Sequence, residues 1–166
     1  EHSSIKVEWT LHDCWAFTGH CAYYSFNQCS FWMTGCKKCS FKKSYPRTIF
    51  SNSKKNFQLK KSLFTSIEKN KLTIITPSYW LKSEVGKSFL SKYQIIVQEN
   101  KIDKTIFFKN NTSYLKEKYN IIANKIYVSV ASTWDKRKGL DILLKLSKYL
   151  TYEELIVIVG LSKKQI

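Results

Sequence analysis

The sequence predicts an α/β protein built on parallel sheets, and two features of its hydrophobic pattern lead to that class. Several short runs, at residues 72–76, 126–131 and 155–159, are apolar almost throughout. Strands without polar alternation are typical of parallel sheets, which are covered on both faces. Segments that fit amphipathic or capped helices separate these runs, and such alternation of strands and helices favours a parallel α/β architecture.

The N-terminal half begins with a strand and continues into an irregular region. Residues 5–12 (IKVEWTLH) combine β-branched and aromatic side chains and predict the first strand. Residues 13–46 have no sustained period and are crowded with cysteine and aromatic residues, so a cross-linked loop is expected. Ser51 or Ser53 is expected to cap a helix running to about Lys69. Four lysines around it are interpreted as a solvated face: Lys54, Lys55, Lys60 and Lys61.

The rest of the chain continues the alternation. After the strand at 72–76, Ser78 is well placed to cap a helix that carries Trp80 and Leu81. The later predicted elements are strand 93–98, turn 99–103, helix 113–119, strand 126–131, helix 140–150 and strand 155–159. Only six residues follow Gly160, and the only methionine is Met33. We therefore expect the sequence to be a piece of a longer protein.

Composition narrows the classes further. The 166 residues carry 28 basic and 12 acidic side chains, a formal net charge of +16, and 43% of them are hydrophobic. That apolar share argues against a disordered chain, and no apolar run approaches the ~18 residues of a membrane span or resembles a signal peptide. The charge suits nucleic-acid phosphates, an anionic membrane or a phosphorylated substrate, or it reflects only a lysine-rich composition. Only Arg47 and Arg137 are arginine, which disfavours base-edge recognition.

All five cysteines lie between positions 14 and 39. Cys36 and Cys39 have the C-x2-C spacing of a metal-binding turn, and Cys21 and Cys29 would complete a tetrahedral zinc site. Four protein ligands leave no open coordination position, so such a zinc ion would be structural. Free thiols and disulfides remain alternatives.

Two polar clusters are candidate binding or catalytic groups. His12 and Asp13 come at the carboxyl end of the first predicted strand, where open parallel sheets bind ligands, and histidine can transfer a proton near neutral pH. The alternative is that they complete a turn. The run 136–139 (KRKG) opens the predicted helix at 140–150, and a basic loop at a helix start suits a diphosphate. Its alternative is a solvated helix start.

Five motifs, in chain order, carry a family resemblance: WTLHDCWAFTGHC at 9–21, TGCKKC at 34–39, TPSYWL at 76–81, ENKID at 99–103 and VASTWDKRKGLD at 130–141. With them the chain resembles the bacterial family-four glycosyltransferases of GT-B architecture, particularly polysaccharide-assembly enzymes with a cysteine-rich insert. The resemblance covers nearly the whole chain.

The resemblance implies two Rossmann-like domains with a UDP- or GDP-sugar donor between them, and transfer with retention and without a catalytic metal. It makes residues 1–100 the second part of the N-terminal, acceptor-side domain, including the Cys-rich loop 13–46. Residues 101–166 become the linker and the start of the C-terminal, donor-side domain. His12 and Asp13 would be catalytic. Three residues would bind the donor diphosphate: Lys138, Gly139 and, in place of an arginine of the relatives, Arg137.

The implied function is that of a hexosyltransferase acting on a lipid-linked or polysaccharide acceptor in cell-surface polysaccharide synthesis. Its place would be the cytoplasm, with peripheral contact to the anionic inner face of the membrane and no nucleic-acid partner. The family's acidic E-x7-E segment and Gly-rich loop are missing from these residues, so this piece alone is expected to be inactive. The alternatives are a zinc-stabilised basic module that binds nucleic acid and a non-catalytic scaffold.

Overall fold

A computed structural model of the chain describes residues 4–37, 39–110 and 113–166. The chain divides into two compact units, Glu1–Ile102 and Asp103–Ile166. Both units combine helices with parallel strands. The predicted α/β class is therefore confirmed, and the architecture is consistent with a Rossmann-like fold.

The first unit is built on a three-stranded parallel sheet. Its strands are β1 (Val7–Thr10), β2 (Leu72–Thr76) and β3 (Gln94–Val97), in the order β1-β2-β3. Trp9 pairs with Ile74, which pairs in turn with Ile95. Because all three strands run in one direction, the segments that follow them leave the sheet at the same edge.

Two helices accompany this sheet, α1 (Ser53–Phe64) and α2 (Tyr79–Gly86). The Ser78 cap of α2 is confirmed, since the Ser78 Oγ accepts a hydrogen bond from the Leu81 N–H at 3.2 Å.

The predicted serine cap of α1 is wrong, and the helix ends at Phe64 instead of Lys69. Asn52 occupies the cap position and forms no side-chain cap bond. Ser53 Oγ donates to the Lys37 carbonyl at 2.6 Å, while Ser51 Oγ accepts from the Cys39 N–H at 2.7 Å. The hydroxyls of Ser51 and Ser53 thus bond to residues of the preceding loop and do not cap the helix.

Lys60 also departs from the expected solvated face of α1. Its side chain is buried, and Nζ donates to the carbonyls of Trp15 at 2.6 Å and Thr18 at 3.0 Å. Nζ also lies 3.3 Å from the centroid of the Trp15 ring. These three contacts compensate the ammonium group for the hydration that it loses on burial.

The segment between β1 and α1 supplies part of the core of the first unit. Its described residues form only two short 3-10 turns, Trp15–Phe17 and Phe31–Thr34. Phe17 and Trp32 are buried, with ring centroids 5.1 Å apart in an edge-to-face arrangement. They pack in one cluster with residues of the sheet and α2, including Leu72, Ile74 and Val85. The loop is thus an integral part of the fold.

The second unit contains α3 (Ser113–Lys118), α4 (Leu140–Leu146) and two parallel strands, β4 (Lys125–Val130) and β5 (Glu154–Val159). The predicted helix at 140–150 is shorter than expected, because Ser147–Tyr149 continues it as a 3-10 turn. Across the described ranges of both units, no helix combines the length and the apolar character needed to cross a membrane.

Candidate functional site

His12 lies at the carboxyl edge of the first sheet. β1 ends at Thr10, the Leu11 N–H donates to the Ile75 carbonyl at 2.9 Å, and the chain then turns away. The His12 side chain is exposed, and no described residue forms a hydrogen bond with it. β1 and β2 are adjacent and parallel, so the N-terminus of α2, which follows β2, starts from the same edge. Such edges bind ligands in open α/β sheets.

Asp13 holds the turn that follows His12. Its Oδ1 accepts a hydrogen bond from the Trp15 N–H at 2.8 Å, and this bond fixes the start of the first 3-10 turn. Burial, with a smaller contribution from Asp13, raises the pKa of the adjacent Cys14 to about 12. Asp13 therefore has a local structural role beside any role in catalysis.

Four cysteines surround one small cavity in the first unit: Cys21, Cys29, Cys36 and Cys39. The cavity measures about 20 Å³, which is room for a single water-sized occupant. Burial, followed by the neighbouring Cys39, raises the pKa of Cys21 to about 12. All five cysteines are free thiols, and Cys14 lies outside the cavity. Among the described residues, no three His, Cys, Asp or Glu side chains already form a group that could hold a metal ion.

His20 is a member of this cavity that sequence reasoning missed. Its Nε2 is buried, and the described part of the chain offers it no hydrogen-bond partner. Burial, followed by the charge of Lys60, lowers the pKa of His20. The signal in the sequence was its position directly before Cys21.

Lys60 ties α1 to the turn that follows His12. Burial lowers its pKa to about 8, while Cys36 and Asp13 partly oppose that shift. Because its Nζ donates to the carbonyl of Trp15, the first residue of the first 3-10 turn, and to that of Thr18, directly after the turn, it fixes the backbone of this turn. Lys60 therefore helps to hold the loop against α1.

The basic run at 136–139 forms a 3-10 turn, Lys136–Lys138, directly before α4. Asp135 caps this turn, since its Oδ1 accepts from the Lys138 N–H at 3.1 Å, and its Oδ2 lies 3.9 Å from Arg137. Gly139 has a φ of +73°, a conformation that glycine adopts without strain. The Lys138 side chain is exposed.

A basic surface with apolar side chains borders the cysteine-rich loop and the start of α1. Ile49 and Phe50 are neighbours in the sequence and are 80% and 77% exposed. Five basic residues line the same two adjoining surface pockets: Lys42, Lys43, Arg47, Lys54 and Lys55. We call this group the 42–55 surface.

Comparison with known proteins relates part of the chain to an enzyme. The chain is 33% identical over 89 residues to the "Putative colanic acid biosynthesis glycosyl transferase WcaC" of Escherichia coli (strain K12). The match covers 54% of this chain and 20% of the length of that protein. No family model and no solved structure matches the chain. About half of the chain is thus similar to part of a protein named as a glycosyl transferase, and the chain spans about a fifth of that protein's length.

Proposed function

We propose that the chain is part of a retaining GT-B glycosyltransferase that moves a hexose from a UDP- or GDP-sugar to a lipid-linked or polysaccharide acceptor, without a catalytic metal. The observation that carries this proposal is the 33% identity to a glycosyl transferase named for colanic acid biosynthesis. The parallel sheets of both units are compatible with it. Under this proposal the first unit belongs to the acceptor-side domain and the second opens the donor-side domain.

The residue roles follow from the resemblance and from local geometry. His12 is exposed at a ligand-binding type of edge, and it would contact the donor sugar and its phosphate. Asp13 would keep the turn after His12 in place through its bond to Trp15. Lys138, Gly139 and Arg137 would bind the diphosphate, whose negative charge grows as the sugar departs.

Lys138 provides the test of donor binding. We expect Lys138→Ala in the intact protein to raise the Kd of UDP or GDP by at least about tenfold, because a charge-assisted hydrogen bond contributes roughly 1.5 to 3 kcal/mol and 1.4 kcal/mol corresponds to about tenfold. Isothermal titration with each nucleotide measures the change.

Lys136→Ala is the matched control, since it removes the same charge from the same exposed turn and should change the Kd by less than about twofold. If both variants raise the Kd equally, the positive charge of the turn explains the effect, and Lys138 makes no specific contact with the diphosphate. Failure of the wild-type protein to bind either nucleotide would contradict the proposed donor class.

The 42–55 surface supports peripheral contact with an anionic membrane, the location proposed for an enzyme with a lipid-linked acceptor at the cytoplasmic face. Exposed Ile49 and Phe50 can enter the headgroup region while the surrounding lysines meet anionic lipid. Each basic residue near such a surface contributes about 1 kcal/mol.

We therefore expect Lys54→Glu with Lys55→Glu to weaken binding to phosphatidylserine vesicles by at least about tenfold in a co-sedimentation assay. The double variant Lys145→Glu with Lys148→Glu makes the same change in net charge in the second unit and serves as the control. If both pairs weaken binding equally, overall charge explains the interaction and the 42–55 surface has no special role.

A further inference from the structure

The four cysteines around the small cavity come from a loop that regular secondary structure does not hold. Between β1 and α1 the described residues form only two 3-10 turns, yet this segment buries Phe17 and Trp32 in the core. Irregular segments of this length inside compact domains need a further restraint. All five cysteines are free thiols, so their sulfur atoms are available to bind a metal ion.

The backbone around the cavity adopts conformations that bring the thiols together. Gln28, directly before Cys29, and Cys36 itself both have positive φ values, of 50° and 45°. Such values cost energy for residues other than glycine and persist where the surroundings enforce them. Gly35, with a φ of 109°, completes the reversal before Cys36.

Two of the four sulfur atoms already accept hydrogen bonds from residues of the same loop that do not line the cavity. The Gly19 N–H donates to Cys36 Sγ at 3.3 Å, and the Asn27 side-chain amide donates to Cys21 Sγ at 3.9 Å. Ser44 Oγ donates to Asn27 Oδ1 at 3.0 Å and so orients that amide. Donors outside a ligand shell hold and tune the ligating atoms in metal sites.

We propose that Cys21, Cys29, Cys36 and Cys39 bind one Zn²⁺ ion in this cavity and thereby hold the cysteine-rich loop against α1. Tetrahedral coordination by four thiolates is a structural zinc arrangement, and soft sulfur ligands select zinc over magnesium or calcium. Binding draws the four sulfur atoms inward to the ion, and each thiol releases its proton to solvent. Buried Lys60, which bonds the same loop, offsets part of the resulting negative charge.

Metal analysis of the intact protein, purified under reducing conditions without added metal, tests the site. We expect close to one zinc per chain, and a loss of zinc to background in Cys36→Ser. Cys14→Ala is the matched control: it removes a buried cysteine outside the cavity and should leave the zinc content unchanged. Replacement of zinc by Co²⁺ should produce sulfur-to-metal charge-transfer absorption and the d–d bands of tetrahedral cobalt.

Measurements on the wild-type protein keep the test decisive if a variant does not fold. A strong chelator should lower the melting temperature, and five thiols should react in denatured, chelated protein without reductant. Absence of metal in folded protein would overturn the proposal, as would a thiol count of three or one, which indicates disulfides. Retention of zinc in Cys36→Ser, together with its loss in His20→Ala, would overturn the four-cysteine ligand set.

Discussion

Replacing His12 by alanine is expected to lower the rate of sugar transfer, kcat, by about 100-fold or more, the usual contribution of a group that stabilises negative charge developing in the transition state, here on the donor phosphate. The fold should not suffer, because the His12 side chain is exposed and no described residue bonds to it. Surface changes of this kind alter the free energy of unfolding by about 0.5 kcal/mol or less. A large kinetic effect without a stability effect would separate catalysis from folding at this position.

The experiment is a transfer assay on the intact protein with a labelled UDP- or GDP-sugar, combined with thermal unfolding. Asp13→Asn is the informative companion, because asparagine keeps an oxygen that can accept the Trp15 N–H but removes the charge. If Asp13 only holds the turn, Asp13→Asn retains most of the activity while Asp13→Ala loses stability. An unchanged kcat in His12→Ala would contradict a catalytic role of His12, whereas the absence of transfer in the wild-type protein would favour a non-catalytic scaffold.

The sequence predicted the elements whose causes are local. β2 spans Leu72–Thr76, as its apolar run indicates, and Ser78 caps α2 because the serine stands directly before the helix. Parallel pairing of β1 with β2 then fixes the edge at which His12 leaves the sheet. A short-range pattern is sufficient for these features, since neighbouring residues supply the decisive contacts.

Features that depend on distant partners were missed. Ser53 is 16 residues from the Lys37 carbonyl that its hydroxyl binds, and Lys60 reaches back 45 residues to Trp15. From local sequence alone, Ser53 is interpreted as a helix cap and Lys60 as a solvated lysine. Their tertiary hydrogen bonds give both residues a different role. The loop packs against α1 through these bonds, and no pattern within α1 itself indicates them.

The cysteine cluster falls between these two cases. Spacing identified the four residues, and the structure places all of them around one cavity. The sequence did not indicate how the backbone brings the four cysteines to one cavity. Their arrangement depends on the left-handed conformations at Gln28 and Cys36 and on the close approach of Gly19 to α1. Spacing therefore indicates candidate ligands, whereas their assembly depends on contacts with the helix.

Gly19→Ala is expected to destabilise the first unit by about 3 kcal/mol, because overpacking at a backbone contact cannot relax by side-chain rotation. A Cβ at this position would lie 2.1 Å from the Ser53 carbonyl oxygen and 3.0 Å from Cys36 Cβ, so α1 and the cysteine loop would have to separate.

Gly86→Ala is the matched control, since a Cβ there meets nothing within 4 Å, and alanine in the last turn of α2 should stabilise by roughly 0.5 to 1 kcal/mol. Chemical denaturation of both variants measures the difference in free energy of unfolding. Because Gly19 touches the segment that carries Cys36, the loss of stability should be accompanied by greater reactivity of the cavity thiols, and not by a change in the second unit. Equal stability of the two variants would show that the loop does not pack against α1 at Gly19.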